Sequence, residues 1–196
     1  MRPDLSIISD LVKPQARVLD LGCGDGELLS HLQKNKSVNG YGLEIDADNI
    51  TRCISRGVNV IEQNLDEGLS KFADASFDMV VMTETLQAIK EPLPLLQEML
   101  RIGEECIVTF PNFGHWRCRW DLALKGGMPV AKHLPYNWYD TPNIRLCTFK
   151  DFEALCHQQQ FRIIERFVTN AKYQDRPLLK RWPNHFGVIA FYRLGR

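Results

Sequence analysis

A glycine-rich turn, DLGCGDG at residues 20–26, constrains the fold of this chain more than any other feature. An apolar run at residues 17–21 leads into the turn, and a helical pattern begins at Glu27. A strand, a tight glycine loop and a helix N-terminus together form the place where doubly wound α/β proteins hold a cofactor. Glycines at alternate positions permit positive φ and let a ligand approach the backbone closely. The alternative is a turn that needs glycine only to pack the helix against the strand.

The charge of this turn indicates which kind of ligand it would hold. Turns that bind dinucleotides read G-x-G-x-x-G and place a pyrophosphate at the helix N-terminus. Here Asp20, Asp25 and Glu27 would repel an anionic phosphate pair. They suit a ligand with positive charge, such as the sulfonium and ammonium groups of S-adenosylmethionine. We therefore expect S-adenosylmethionine or S-adenosylhomocysteine as the cofactor and disfavour an NAD-binding domain.

The amino-acid composition limits the class of protein that this chain can be. The chain has 196 residues, 44% hydrophobic and 24% charged, which is ordinary for one globular domain. Its formal net charge is zero, so no overall field favours nucleic acid or an anionic membrane. It has no apolar stretch that could span a bilayer and no signal-peptide core at the N-terminus. Six scattered cysteines are typical of reduced thiols, and His115 with Cys118 supplies too few ligands for zinc. We predict a single cytoplasmic domain over residues 1–196 without a metal.

Strand and helix patterns alternate along the first part of the chain. We predict strands at 17–21, 39–44, 58–62, 77–82 and 105–110 and helices at 27–33, 46–56 and 92–101. A further helix is predicted to begin after Asp4 and to end near Pro14. Five such rounds indicate a parallel sheet with right-handed crossovers. After an irregular excursion at 112–147, we predict a helix at 150–158, a strand at 162–168, a polar loop at 171–185 and a last strand at 186–193.

A long excursion after the fifth strand, followed by a late hairpin, resembles the Rossmann-like class I methyltransferase fold. That fold is an α/β architecture with a mostly parallel seven-stranded sheet, an antiparallel last strand and helices on both faces. In such a fold Glu44, at the end of strand two, would accept hydrogen bonds from both ribose hydroxyls, or it would cap the next helix. An acid at this place also occurs in NAD sites, so it does not choose the cofactor.

Other residues would surround the adenosyl group in this fold. Ile45 would cover one face of the adenine, and the NLD run at 64–66 would contact its edge, although Asn64 replaces the commoner aspartate. Asp66 has the alternative of capping the following turn. The TETLQ run at 83–87 would lie beside the methionine end of the ligand. The predicted cofactor-binding residues are Asp20, Gly22, Cys23, Gly24, Gly26, Glu44, Ile45, Asn64, Leu65 and Thr83.

The segment after the fourth strand, TETLQ at 83–87, carries no N-P-P-Y motif. Methyltransferases that act on amino groups of bases or proteins often have that motif at this place. Its absence argues against methylation of nucleic acid or amide nitrogen and leaves small-molecule chemistry open.

The excursion at 112–147 is aromatic and basic. It holds three of the four tryptophans, and its five basic residues outnumber its two aspartates by three charges. Such a segment suits a substrate lid, a protein interface or a base-stacking surface, and it would also serve merely to cover an apolar sheet edge. His115 could be a general base, although a lone histidine beside an arginine is more often structural or contact-making.

Three longer runs carry a family resemblance. The runs FPNFGHWR at 110–117, GMPV at 127–130 and LPYNWYDTPNI at 134–144 closely resemble the MetW family of methionine biosynthesis proteins. This resemblance implies a methyltransferase fold and a partnership with MetX, a homoserine O-acyltransferase that supplies the nucleophile for acyl transfer. The chain has no G-x-S-x-G elbow of its own, in keeping with that division of labour.

The resemblance favours an accessory subunit needed with MetX for homoserine O-acylation, with no catalytic residue of its own. The alternative is a methyltransferase that acts on a small molecule, with the excursion as its lid. A cofactor pocket on such a subunit also suggests a sensor, if the ligand binds the free and paired states unequally. The predicted partner surface comprises His115, Trp116, Arg117, Trp138 and Tyr139.

Overall fold

The computed structural model describes residues 3–131, 133–170, 179 and 181–196, and its centre is one seven-stranded sheet. The strands are β1 (Arg17–Leu21), β2 (Asn39–Glu44), β3 (Asn59–Glu62), β4 (Phe77–Thr83), β5 (Gly103–Pro111), β6 (Arg162–Thr169) and β7 (Ile189–Gly195). Their order across the sheet is β3-β2-β1-β4-β5-β7-β6. The first five strands are parallel, and β7 is antiparallel to both of its neighbours. The predicted fold class is confirmed.

Helices and short turns connect these strands. They are α1 (Pro3–Leu11), α2 (Glu27–Lys36), α3 (Ala47–Ser55), α4 (Pro92–Ile102), α5 (Trp116–Trp120), α6 (Phe149–Gln158) and α7 (Pro183–Phe186). Two 3-10 turns, Leu65–Glu67 and Leu86–Ala88, follow β3 and β4, and a π-helical turn, Asp121–Lys125, extends α5.

The apolar run of β4 makes it a central strand. Val80, Val81 and Met82 are fully buried because a parallel strand is covered on both faces. On one face the core includes Phe110 of β5 and Tyr192 of β7, whose rings stack with centroids 5.9 Å apart. A second cluster, under α1 and α2, covers the other face. The two cores hold the carboxyl ends of β1, β2 and β4 in fixed positions.

The region around β7 departs from the prediction. The last strand was expected at 186–193 but spans Ile189–Gly195, and Pro183–Phe186 forms a helical turn before it. Proline at the first helical position favours that turn, since its missing N–H has no partner to lose. Of the polar loop predicted at 171–185, residues 171–178 and 180 lie outside the described residues.

The excursion contains a helix that its irregular pattern did not predict. α5 begins after His115, whose Nδ1 accepts a hydrogen bond from the backbone N–H of Arg117. The start of the excursion is tied to the segment just before β7 by Asn112, which is fully buried. The Asn112 amide donates to the carbonyl of Gly187 at 2.8 Å and accepts from the N–H of Gly114 at 2.9 Å. These bonds fix where the excursion leaves the sheet.

The six cysteines are free thiols. Within the described ranges, no group of three or more His, Cys, Asp or Glu side chains could hold a metal ion. The same part of the chain contains no helix long and apolar enough to cross a membrane.

Candidate ligand-binding site

The glycine turn after β1 adopts the backbone that its sequence predicts. Gly22, Gly24 and Gly26 have φ of 70°, 55° and 75°, the left-handed region that favours glycine. A methyl group added to Gly24 would meet no described atom within 4 Å, whereas one added to Gly22 would lie 2.6 Å from Oγ1 of Thr85. Gly24 therefore faces open space, and Gly22 is in close contact with the segment after β4.

Glu44, at the end of β2, is bound to the turn and to the start of α3. Its Oε2 accepts a hydrogen bond from the N–H of Gly24 at 2.8 Å. Its Oε1 accepts from the N–H groups of Ile45 at 2.9 Å and Asp46 at 3.0 Å. The carboxylate is thus buried among backbone donors, and it retains capacity for a further donor on Oε2 because a carboxylate can accept about four bonds.

Two cavities meet at this edge of the sheet. The first, which we call the turn cavity, measures about 610 Å³ and lies against the glycine turn, α1, α3 and the residues after β4. The second, the Glu44 cavity, measures about 510 Å³ and lies between the ends of β2, β3 and β4. Both are lined by Gly22, Asn49, Glu84 and Thr85. Together they form one elongated site at the point where the strand order reverses between β1 and β4, the usual ligand position in such sheets.

Carboxylates dominate the walls of this elongated site. The turn cavity is lined by the carboxylates of Asp20, Asp25, Glu27 and Glu84, and Arg52 is its one basic lining residue among the described residues. The Asp25 carboxylate also forms an exposed ion pair with Arg56 at 2.7 Å, so part of its charge is compensated.

The walls of the Glu44 cavity are also negatively charged. It is lined by Glu44, Asp66 and Glu84, and no basic residue occurs among its described lining residues. These walls favour a cationic or neutral polar ligand over an anionic one.

The structure brings most of the predicted cofactor residues together. Asp20, Gly22, Cys23, Gly24 and Thr83 line the turn cavity, and Glu44, Ile45, Asn64 and Leu65 line the Glu44 cavity.

Gly26 is different. It lines neither cavity, and a methyl group there would lie 2.9 Å from Sγ of Cys53. Gly26 therefore permits close packing between the start of α2 and helix α3, whereas the alternative considered for glycine in this turn was packing of the helix against the strand.

The run after β3 also differs in detail. The Asn64 Oδ1 accepts from the N–H of Asp66 at 3.0 Å, so Asn64 caps the 3-10 turn itself. Asp66 does not cap that turn locally, because its Oδ1 accepts from the N–H of Lys90 at 3.0 Å. The Asp66 carboxylate lines the Glu44 cavity and is hydrogen-bonded to the segment before α4.

Several lining residues escaped the sequence analysis as site residues. Glu84 has φ of 50°, a strained backbone for a non-glycine residue, and its N–H donates to both the carbonyl and the hydroxyl of Thr109. Tyr136 reaches the turn cavity from the excursion, and Asn49 and Arg52 reach it from α3. The sequence analysis placed the run that contains Glu84 beside the methionine end of the ligand but named only Thr83 of that run as a binding residue.

The predicted partner surface is divided in the structure. His115 is only 7% exposed, and burial, with the nearby His133 and Arg117, lowers its pKa from 6.5 to about 4. Its place is therefore beneath the surface, as the cap of α5. The Arg117 guanidinium lies over the Trp116 ring, 5.4 Å from its centroid, while Trp138 and Tyr139 form a second, strongly exposed pair. Among the described residues, no ring contact joins the two pairs.

A sheet of this strand order, with a glycine turn after β1 and an acid ending β2, defines the class I S-adenosylmethionine-dependent methyltransferase fold. Solved structures share it. An S-adenosylmethionine-dependent methyltransferase from Mesorhizobium loti has a TM-score of 0.72 at 14% identity, covering 99% of this chain and 98% of that one. A methyltransferase from Thermotoga maritima, described as a possible histamine N-methyltransferase, has a TM-score of 0.66 at 18% identity, covering 98% and 87%. At these identities the likeness shows the fold alone.

The sequence comparisons give the family. The model described as "Methionine biosynthesis protein MetW" matches residues 2–194. The chain therefore belongs to the MetW family of methionine biosynthesis proteins, as its aromatic runs indicated. A curated relative, the bifunctional methionine biosynthesis protein MetXA/MetW of Rhodopirellula baltica, is 33% identical over 205 residues. The alignment covers 98% of this chain and 33% of the relative, so the chain spans about a third of that protein's length.

Proposed function

We propose that this chain binds S-adenosylmethionine or S-adenosylhomocysteine in the elongated site and acts with a homoserine O-acyltransferase of the MetX kind in methionine biosynthesis. The observation that carries the ligand proposal is the pair of adjoining, acid-lined cavities that share Gly22 of the glycine turn as a lining residue. When bound, S-adenosylmethionine supplies a methylated sulfonium and an ammonium group, both cationic.

The residues of the turn cavity fit the amino acid end of this ligand. Asp20 and Glu84 offer carboxylates to a cationic group, and Gly24 leaves its backbone open to a close approach. The Thr83 hydroxyl is buried with no hydrogen-bond partner among the described residues, and it lines the same cavity. A buried hydroxyl of this kind is stabilised when a ligand or water bonds to it.

The Glu44 cavity fits the nucleoside end. Glu44 keeps acceptor capacity on Oε2 for a ribose hydroxyl, since three backbone donors already bind the carboxylate. Ile45 is exposed at the cavity edge, where a planar base would cover its side chain. The Asn64 amide nitrogen is left to contact the base because its oxygen caps the turn.

The acyltransferase partnership is supported by the bifunctional relative, whose name joins MetXA and MetW in one protein. It is also supported by the excursion, where large apolar side chains are exposed in number: Trp116, Trp120, Leu124, Val130, Trp138 and Tyr139. Exposed tryptophan, tyrosine and arginine side chains are enriched among the residues that anchor protein interfaces. We assign Trp116, Arg117, Trp138 and Tyr139 to the surface that contacts the acyltransferase, with His115 supporting it from within.

Two measurements test this proposal. Calorimetric titration with S-adenosylmethionine, S-adenosylhomocysteine and NAD should show binding of the first two and not of NAD. Co-expression with the acyltransferase from the same organism should give a complex, and homoserine acylation should rise when this chain is added. Binding of NAD alone would contradict the ligand assignment, and acylation independent of this chain would contradict the partnership.

The acylation assay also tests a sensor role for the ligand. If the ligand binds the complex and the free chain with different affinity, saturating S-adenosylmethionine or S-adenosylhomocysteine will change the acylation rate. An unchanged rate at saturation would contradict that role.

Methyl transfer to a small molecule is the alternative function. It is favoured by a third cavity of about 430 Å³, which shares Glu84 and Tyr136 with the turn cavity. Release of S-adenosylhomocysteine on incubation with candidate acceptors would support it.

A further inference from the structure

Two cysteines meet at the glycine turn. Cys23 lies in the turn, between Gly22 and Gly24, and Cys53 lies on α3. Their Sγ atoms are 3.8 Å apart, and both thiols are free. Among the described cysteines they are the one pair whose thiols are in hydrogen-bond contact. They are 30 positions apart in the sequence, so the fold brings them together.

Close packing against glycines holds both sulfur atoms in place. A methyl group added to Gly42 would overlap Sγ of Cys23, and one added to Gly26 would lie 2.9 Å from Sγ of Cys53. The Cys53 thiol also donates to the Gly24 carbonyl at 3.2 Å. The two sulfurs therefore have a fixed relation in the reduced chain.

A small movement would join these sulfurs. An S–S bond is about 2.05 Å long, so the Sγ atoms of Cys23 and Cys53 must approach by about 1.8 Å. Cys23 is flanked on both sides by glycines of positive φ, whose backbone is the most permissive of any residue. The turn can thus move toward α3 by this amount.

The two cysteines differ in their access to solvent. Cys23 is 9% exposed and lines the turn cavity, whereas Cys53 is fully buried. A cavity of about 610 Å³ admits a molecule as small as hydrogen peroxide. Burial raises the pKa of both thiols, and the carboxylates of Asp20 and Glu44 act in the same direction. Both thiols are therefore protonated near neutral pH, and their oxidation is slow.

We propose that Cys23 and Cys53 form a reversible disulfide when peroxide enters the turn cavity. The Cys23 sulfur loses its proton and attacks one peroxide oxygen, the O–O bond breaks, and a sulfenic acid forms while hydroxide leaves. The Cys53 sulfur then loses its proton and attacks the Cys23 sulfur, so that the S–S bond forms and the S–O bond breaks. The two protons convert the two released hydroxides to water. Two sulfurs thus lose two electrons to one peroxide.

This disulfide would alter the turn cavity. Oxidation removes the Cys53 thiol that donates to the Gly24 carbonyl, and the new bond draws the turn toward α3. Gly24, together with Asn49 and Arg52 of α3, lines the turn cavity. The oxidised chain will therefore bind S-adenosylmethionine more weakly than the reduced chain. This consequence rests on the proposed function, whereas formation of the disulfide does not.

Peptide mapping of the wild-type chain tests the disulfide without any variant. Trypsin cleaves after lysine and arginine, so Cys23 falls in peptide 18–34 and Cys53 in peptide 53–56. After peroxide treatment of the native chain and blocking of the remaining thiols, mass spectrometry should find these two peptides joined. Dithiothreitol should separate them, and treatment in urea should abolish their preference over other cysteine pairs. No joined peptide, or another pair joined in preference, would overturn the proposal.

Cysteine-to-serine variants test the order of the two steps. In Cys53→Ser, peroxide should leave a sulfenic acid on Cys23 that dimedone traps, because the second thiol is missing. In Cys23→Ser, Cys53 should stay unmodified because it is fully buried. Cys147→Ser, at a half-buried thiol, is the matched control and should form the disulfide as wild type does. A dimedone adduct on Cys53 in Cys23→Ser would contradict entry through the turn cavity.

Calorimetry on the two redox forms separates this inference from the proposed function. After removal of peroxide, the oxidised chain should bind S-adenosylmethionine at least about tenfold more weakly than the reduced chain. Dithiothreitol should restore the affinity, since it reduces a disulfide and leaves oxidised methionine unchanged. Equal affinity of the two forms would contradict the effect on the cavity. Absence of binding by the reduced chain would contradict the proposed function and leave the peptide map as the test of the disulfide.

Discussion

The backbone N–H of Gly24 donates to Oε2 of Glu44 at 2.8 Å, and this bond joins the glycine turn to the end of the neighbouring strand. Gly24 opens onto the turn cavity and Glu44 lines the other cavity. The carboxylate therefore sets the shape of the turn as well as offering an acceptor to a ligand. The glycine turn and the Glu44 cavity therefore both depend on the Glu44 side chain.

Replacement of Glu44 should affect stability and ligand binding together. Glu44→Ala leaves the N–H groups of Gly24, Ile45 and Asp46 without their acceptor, so we expect the free energy of unfolding to fall by about 2–4 kcal/mol in urea titrations. Glu44→Gln keeps one side-chain oxygen as an acceptor, so its free energy of unfolding should fall less. Its affinity for S-adenosylmethionine should fall at least about tenfold. Glu62→Gln, at the exposed residue paired with Glu44 in the sheet register, is the control and should change neither quantity.

Two glycine-to-alanine substitutions separate the energetic cost of a left-handed backbone from that of steric overlap. Gly22 lies in the glycine turn, and Gly57 lies just after α3. Gly57→Ala meets no described atom within 4 Å at φ of 74°, so it should cost only the left-handed penalty of about 1–2 kcal/mol. Gly22→Ala, at φ of 70°, should cost more because its methyl group overlaps Thr85.

The double variant Gly22→Ala with Thr85→Ala should regain part of that difference, as a double-mutant cycle in denaturant would measure. Equal costs at Gly22 and Gly57 would show that Thr85 moves aside freely.

Acid should destabilise the protein through His115. Because burial lowers its pKa to about 4 in the folded state, the unfolded chain binds a proton between pH 6.5 and 4 that the folded chain does not. The free energy of unfolding should therefore fall as the pH falls through this window, by up to about 3 kcal/mol, and His133, whose pKa is also lowered, acts in the same direction.

His115→Asn tests this because asparagine can still cap α5 but does not titrate. Its unfolding free energy, measured by urea titration at several pH values, should fall less steeply between pH 6.5 and 4 than that of wild type. His157→Asn, on the exposed face of α6, is the matched control. A slope equal to that of wild type in His115→Asn would refute the role of this histidine.

The proposed partner surface is tested at Trp138, which is 74% exposed. Trp138→Ala removes one exposed aromatic pair, so the unfolding free energy should stay within about 1 kcal/mol of wild type. Affinity for the acyltransferase, measured by surface plasmon resonance, should fall at least about tenfold, with binding of S-adenosylmethionine unchanged.

Trp182→Ala provides the comparison, since Trp182 is 56% exposed but lies outside the excursion. Trp116→Ala should behave as Trp138→Ala does. If either variant lost S-adenosylmethionine binding and kept the complex, the excursion would be a substrate lid.

Local patterns in the sequence determined the first five strands. β1 and β2 match their predicted bounds, and β3, β4 and β5 differ by two residues or fewer at either end. Each of these strands is a short run bounded by turn or capping residues, and such patterns depend on neighbours along the chain. The last strand was predicted three residues early because FGVIAFYR alternates from Phe186. In the structure Phe186 ends the helical turn α7, and the N–H of Gly187 donates to the carbonyl of Pro183 at 2.8 Å.

The glycine turn, the acid at Glu44 and the aromatic runs were enough by themselves to predict the fold class and the family. The tertiary structure alone decided that Gly26 serves helix packing, that His115 is buried, and that Glu84 and Tyr136 close the site. The physical reason is that periodicity and turn chemistry are local. The contacts of a side chain at the carboxyl edge depend on segments that are distant in sequence and meet only when the sheet has formed.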